Sequence, residues 1–281
     1  MDWSKAKTIL IISFIVVNLL LILALFNTNE TVETLVSEEF VEDSIRLLSN
    51  KDIIVPTEIP REIPSLQSLI VEYEDFNTQE LNEKFFDGNG KISIKSDGFV
   101  EIEDKNEKLT ILNSKLLIYE SNKTEDSKVL HNNDDAIEVA TNYLKDLKFD
   151  TSDMKLSHIR EGNDRYHLEF SKIYNEKYLE SAFTNIQLDN TGITKFERQW
   201  LNVIEVGDTP IFISSAPKSM LGLLSMNQVY GKTVKDISLS YYFEPEKHDY
   251  IQNPLEAKQG KTIPAWRIQF EDGHKVFIDN Y

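Results

Sequence analysis

Ser215-Ala216-Pro217-Lys218 has the S-x-x-K spacing that sets a lysine one helical turn from a serine, the arrangement that activates a serine for acyl transfer. The partner motifs S-D-N and K-T-G are absent, and a helix start with Pro217 in its first turn explains the same four residues. Two Gly-Lys-Thr triplets, at 231–233 and 260–262, end like a phosphate-cradling loop. Such a loop needs another glycine five residues earlier, where Met226 and Leu255 stand, so both triplets are read as turns. Asp87-Gly88-Asn89-Gly90 opens like a calcium loop. Lys91 and Ile92 then fill the fifth and sixth positions and Gly98 replaces the bidentate glutamate, which leaves a plain turn.

The five histidines (His131, His158, His167, His248, His274) are scattered, with no H-E-x-x-H or H-x₃-H pair to hold a metal. The chain has no cysteine, which excludes disulfides, thiolate zinc sites, iron–sulfur clusters and a cysteine nucleophile. Asp134-Asp135 and Glu38-Glu39 read as solvated charges at a helix start and on a helix face. No catalytic, metal or cofactor-binding residue is assigned, and the expectation is a protein that is not an enzyme. Lys and Arg number 30 against 47 Asp and Glu, and the net charge of −17 argues against nucleic acid, whose affinity rests on neutralised phosphates. At 281 residues, with 41% hydrophobic residues, 15 Phe and 11 Tyr, the chain can bury one or two sizeable cores.

Residues 8–26 carry no charge and are nearly all aliphatic or Phe. At about 1.5 Å per residue they make a helix of roughly 28 Å, which matches a hydrocarbon core of ~30 Å. Lys5 and Lys7 precede the run; Glu30, Glu33, Glu38 and Glu39 follow it. The expectation is a single signal anchor with residues 1–7 in the cytoplasm and the rest outside the cell membrane. Leu23-Ala24-Leu25-Phe26-Asn27 lacks an A-x-A-like cleavage site, and no cysteine is present for a lipid anchor. Residues 1–26 hold Lys5 and Lys7 against Asp2, a charge of +1, so the remaining 255 residues hold −18 and should stand off an anionic membrane surface. Ser13 and Asn18 are the polar exceptions inside the run, and both are candidates for contact with a neighbouring helix. Asn18 has two uses open to it: an amide across to that neighbour, or a bond to its own backbone.

Beyond the run, Val32, Leu35, Val36, Phe40, Val41, Ile45 and Leu48 recur at helical spacing, which predicts an amphipathic helix over 31–50. Pro56, Pro60 and Pro64 end regular structure. A strand over 66–73 and a short helix around 79–86 come next. Ile92/Ile94, Val100/Ile102, Leu109/Ile111 and Leu116/Ile118 then alternate at period two as an antiparallel meander. The polar run 120–133 marks a boundary between a membrane-proximal region, 31–122, and a second α+β region, 131–281. The second region opens with a helix from about Asp134, capped by Asn133, and has strands over 166–170, 183–188 and 193–203. A helix from Ser215 to about Met226 follows, then strands through Ile237–Phe243, Trp266–Phe270 and Val276–Ile278, with Asp272-Gly273 as a hairpin turn. Tyr166-x-Leu168-x-Phe170 answers to Trp266-x-Ile268-x-Phe270, which suggests a helix-plus-hairpin duplication. With no βαβ rhythm, the fold class is α+β: one transmembrane helix, then an ectodomain of helix-plus-antiparallel-sheet units.

Met1-Asp2-Trp3-Ser4-Lys5-Ala6-Lys7-Thr8-Ile9, followed by an apolar span with Asn18, resembles the start of the YycI (WalI) family. Ile263-Pro264-Ala265-Trp266-Arg267-Ile268 and the closing Val276-Phe277-Ile278-Asp279-Asn280-Tyr281 resemble its end. The resemblance implies an accessory regulator of the WalR–WalK two-component system in low-GC Gram-positive bacteria. It would act with a YycH-like sister protein on a WalK-like sensor histidine kinase that controls cell-wall metabolism. No catalytic residues belong to that family. The helix-plus-sheet units also look loosely like PepSY-type domains, whose alternative role is an extracytoplasmic domain that inhibits a protease.

Overall fold

A computed structural model describes residues 3, 7, 10–19, 35–123, 130–162, 165–247, 253 and 256–279. Residues 10–19 are helical, and Leu10, Ile11, Ile12, Phe14, Ile15, Val16, Val17 and Leu19 are all exposed. The rest of the expected span, residues 8, 9 and 20–26, lies outside the described residues. Among the described residues no helix is long and apolar enough to cross a membrane.

Helix α1 (Glu38–Ser49) is shorter than the predicted 31–50. Ser37 caps it, its hydroxyl accepting from Phe40 N, and residues 31–34 lie outside the described residues. The three prolines keep 50–64 irregular apart from two isolated bridges, Leu35 with Glu62 and Ile54 with Thr233. Strand β1 (Ser65–Tyr73) leads to α2 (Thr78–Phe86), where the Asn77 side chain accepts from Gln79 N and Glu80 N. The meander follows as expected: β2 (Lys91–Ser96), β3 (Phe99–Asp104), β4 (Glu107–Leu112) and β5 (Leu116–Ser121).

Helix α3 (Asn133–Asp146) starts one residue before the expected position, so its N-cap is Asn132, whose side chain accepts from Asp135 N, and Asn133 is the first helical residue. Strands β6 (Met154–Gly162), β7 (Arg165–Tyr174), β8 (Lys177–Asp189), β9 (Gly192–Gln199) and β10 (Leu201–Phe212) follow. Strand β6 was not expected, and the single strand over 193–203 is two strands hinged at Trp200. Helix α4 (Ala216–Met220) tightens into 3₁₀ turns at Leu221–Ser225 and Asn227–Val229. Strands β11 (Val234–Tyr242), β12 (Gln259–Lys261), β13 (Ile263–Phe270) and β14 (Lys275–Ile278) complete the chain.

One sheet of eleven strands runs β14-β13-β11-β8-β9-β5-β4-β3-β2, with β7 and then β6 branching from β8; a second runs β10-β1-β12. The branch arises inside β8. Its residues 178–180 pair with 240–242 of β11, whereas 183–189 pair with β9. Between them Ser181 sits at φ 71°, in the left-handed region, and turns the strand from one partner to the other. The β8–β11 pairing is parallel, a departure from the antiparallel expectation. It is permitted by the long connection of 44 residues between Asp189 and Val234.

Three apolar clusters result. In the first, α2 and α3 cover the meander and β7–β9 through Phe86, Ile102, Leu109, Ala136, Ala140, Leu168 and Phe196. Residues before and after the polar run 120–133 thus share one core, and β5 pairs with β9 across it. The second joins α1, α4, β11, β13 and β14 through Leu48, Met220, Trp266, Ile268 and Phe270. A third, of Leu69, Val71, Leu179, Trp200, Tyr241 and Phe243, lies between the two sheets.

Candidate functional site

Ser215 is buried at the start of α4 while Lys218 is exposed, and no hydrogen bond joins them. The serine backbone carbonyl instead receives Ser219 N at 2.9 Å, a helix start and not an activated nucleophile. Gly231 turns the chain at φ 75°, and Lys232 pairs with Asp272 at 2.7 Å. The second Gly-Lys-Thr triplet is no turn: it runs through β12. There Thr262 exchanges two bonds with Leu69, and the Phe243 ring against Gly260 leaves no room for a Cβ. Asp87 takes the left-handed conformation that ends α2, and the Asn82 amide clamps Gly90 N and O, so the Asp87–Gly90 segment is the expected turn. Among the described residues no group of histidines and carboxylates could hold a metal ion, and His248 lies outside them. Asp135 accepts from His131 N at 3.0 Å, and Glu38 and Glu39 occupy the exposed first turn of α1. Asn18 Nδ2 donates to Phe14 O at 2.8 Å, so part of its amide serves its own helix; Ser13 is exposed.

Sequence reasoning missed two buried arginines. Arg267 on β13 is 0% exposed. Its Nε donates to Glu180 Oε1 at 2.6 Å, Nη1 to Asp236 Oδ2 at 3.0 Å, and Nη2 to Gln269 Oε1 at 2.7 Å; the guanidinium lies 4.0 Å over the Tyr178 ring. Gln269 passes the network on to Ser157 O at 2.9 Å, and Lys275 reaches Ser157 Oγ at 3.2 Å and Glu169 at 3.6 Å. Six strands from β6 to β14 meet at this cluster, so its chemistry is fastening: charge-assisted bonds offset the desolvation of each ion.

Arg198, 1% exposed, bonds Glu74 and Thr184 at 3.0 Å each and stacks 4.3 Å over Trp200. Burial lowers its pKa and Glu74 opposes that shift. Arg267 stands between Trp266 and Ile268, where alternation points it to solvent; Arg198 falls in step with Phe196 and Trp200 on the inward face, but the sequence does not name the partners of either.

Grooves also open on the surface formed by the described residues, two of them with linings that could meet a ligand. The larger, about 990 Å³, is walled by Lys105, Lys108, Lys123, Arg165 and Lys195 against Glu103, Glu107, Glu120 and Asp189. Lys108 pairs with Glu120 and Lys123 with Glu107, both at 3.0 Å, so much of its charge is already satisfied internally. The smaller, about 360 Å³, has an apolar wall of Tyr73, Leu112, Leu116 and Phe243 and a polar rim of Asn113, Lys115, Gln199 and Glu246. Lys115 Nζ sits 4.9 Å over the Tyr73 ring. Burial, helped by Glu246, pushes the Tyr73 hydroxyl up to about 12, and burial lowers the Lys115 amine. This cleft has the mixed lining of a small-ligand site.

A family model described as YycI protein matches residues 35–281. It takes in the C-terminal stretches 263–268 and 276–281 that carried part of the resemblance; the N-terminal stretch lies before it. No curated protein matches the chain. Among solved structures, an uncharacterized protein from Eubacterium rectale shares the fold at TM-score 0.52 and 12% identity, over 84% of this chain and 96% of that one. YycH from Bacillus subtilis aligns at TM-score 0.48 and 14% identity, over 78% of this chain and 53% of YycH. The YpeB C-terminal domain of Bacillus megaterium aligns at 0.38 and 11%, over 88% and 94%.

Proposed function

The chain belongs to the YycI family, and from that premise we propose that it is a non-enzymatic, membrane-anchored regulator. It associates with a YycH-like sister protein and a WalK-like sensor histidine kinase, and so adjusts the control of cell-wall metabolism. The observation that carries the reading is the family match over residues 35–281, almost the whole of the expected ectodomain. Two further features support it. The buried arginines Arg267 and Arg198 are occupied in fastening strands. The exposed apolar helix at 10–19, with Lys5 and Lys7 before the run and acidic residues after it, fits a single anchor with its N-terminus in the cytoplasm.

Purifying the full-length protein from its own membranes and identifying what accompanies it tests the association. A sister protein and a sensor kinase in constant ratio to the chain are expected. A protein that purifies alone, or with an extracytoplasmic protease that it inhibits, would overturn the reading. N-terminal sequencing tests the anchor separately: a start near Asn27 would show a secreted protein.

A further inference from the structure

Strand β10 is an outermost strand, paired only with β1, and at twelve residues it is the longest edge among the described residues. Apart from the ladder to β1, no backbone hydrogen bond of residues 202–212 is formed among the described residues. The other edges are short or guarded. β12 and β14 have three and four residues. β2 carries Lys91 and Lys95, the charges that commonly blunt an edge. β6 gives its Ser157 carbonyl to Gln269. By contrast β10 has no Lys or Arg and leaves Ile204 50% and Phe212 69% exposed, with Val206 exposed between them. Phe212 lies opposite Ser65 in the register, so exposed Ile63 and Leu35, which bridges Glu62, sit at that end of the strand.

The plain alternative is an edge kept idle by other means. Two bulges interrupt the β1–β10 register, and Pro210, Glu205 and Asp208 lie along the strand. Those features discourage a second copy, because self-pairing would bring Glu205 and Asp208 against like charges on a chain of net charge −17. They do not discourage a basic partner. Glu205, Asp208 and neighbouring Glu72 form no ion pair among the described residues.

We infer that the free edge of β10 takes up an extended segment of the sister protein in which Lys or Arg alternates with apolar residues. Backbone bonds along the edge would supply affinity, Ile204, Val206 and Phe212 would receive the apolar side chains, and the three carboxylates would select the basic ones. The inference rests on the association reading above and adds the surface at which it occurs.

The chain lacks cysteine, so single cysteines report cleanly. Full-length Ile204→Cys and Val206→Cys, with Ile94→Cys on β2 as control, are labelled with a maleimide in detergent, with and without the co-expressed sister protein. All three positions are exposed, so the fold should tolerate them. Labelling at 204 and 206 should slow about tenfold in the complex, with 94 unchanged, and Glu205→Lys with Asp208→Lys should weaken the complex about tenfold or more. A complex that forms with unchanged labelling and tolerates the charge reversal overturns this inference and leaves the association standing. No complex with the unsubstituted chain overturns both. Protection at 204 and 206 that rises with concentration of the chain alone assigns the edge to a second copy, against the inference.

Discussion

Strands β7 and β13 turn similar apolar faces to different cores. Tyr166, Leu168 and Phe170 pack in the first, and Trp266, Ile268 and Phe270 in the second. Their other faces part company. β7 leaves His167 and Glu169 partly exposed, while β13 buries Arg267 and Gln269 completely or nearly so, closed over by β6 and β8. A strand with one wet face can leave the polar groups on that face to water. A strand buried on both faces must satisfy every polar atom it carries, and in doing so it fixes its register against its neighbours. The C-terminal hairpin is therefore tied to β6–β8 by specific bonds as well as by apolar packing.

Arg267→Ala should break that tie with the largest effect, about 3–5 kcal/mol, because buried Glu180 loses its nearest cation and keeps only the distant Lys275 at 4.0 Å and Ser171 Oγ at 3.5 Å. His167→Ala, on the wet face of β7, should stay within about 0.5 kcal/mol. Urea unfolding of both variants measures the contrast, and similar losses would erase it. Replacing Arg267 and Glu180 together by Met should recover part of the loss, since no lone charge is then buried. On the apolar faces the strands should behave alike: Leu168→Ala and Ile268→Ala should each cost about 2–5 kcal/mol. A pair that differs as sharply as Arg267 and His167 would place the distinction in the cores instead.

A smaller effect comes from His158, in the seam between β6 and the β13–β14 turn. Burial lowers its pKa despite Glu169, and Lys235, Lys275 and Arg160 lower it further. Its Nδ1 has no partner among the described residues, and Gly273 abuts its ring. With the folded pKa depressed, its contribution is present above the unfolded value of about 6.5. That contribution is lost as pH falls through the folded value. Melting temperature followed from pH 7.5 to 5 should therefore drop, and drop less in His158→Gln. Equal slopes would remove His158 from the seam's pH response. The least stability change is expected for Asn18→Leu, whose amide bonds its own helix. On the proposed reading it should weaken co-purification with the kinase or the sister protein, by on the order of 0.6–2 kcal/mol.

The elements most legible in the sequence were those whose signals are local. The meander alternation, the turn at Asp87–Gly90, the Asp272-Gly273 hairpin and the helix after the polar run all appear where periodicity and turn chemistry place them. Strand β6 escaped because a bulge between Leu156 and His158 breaks its alternation. The first half of β8 escaped because Ser181 reverses the pattern at its bend. β10 was cut short because Gly207, Asp208 and Pro210 read as a loop. The parallel pairing of β8 with β11 has no local signature at all. For the same reason the sites were the least legible part. Alternation assigns Arg267 to solvent and puts Arg198 in step with Phe196 and Trp200, and the burial of the two depends on Glu180 and Glu74, more than eighty residues away.

On the proposed reading, the chain acts on a sensor kinase in company with a sister protein. Reconstituting the full-length kinase in liposomes, alone and with both full-length proteins, and following phosphoryl transfer to the response regulator tests this most directly. The rate should change when both are present, and that change should shrink with Glu205→Lys and Asp208→Lys on β10. A rate identical to that of the kinase alone would contradict that reading.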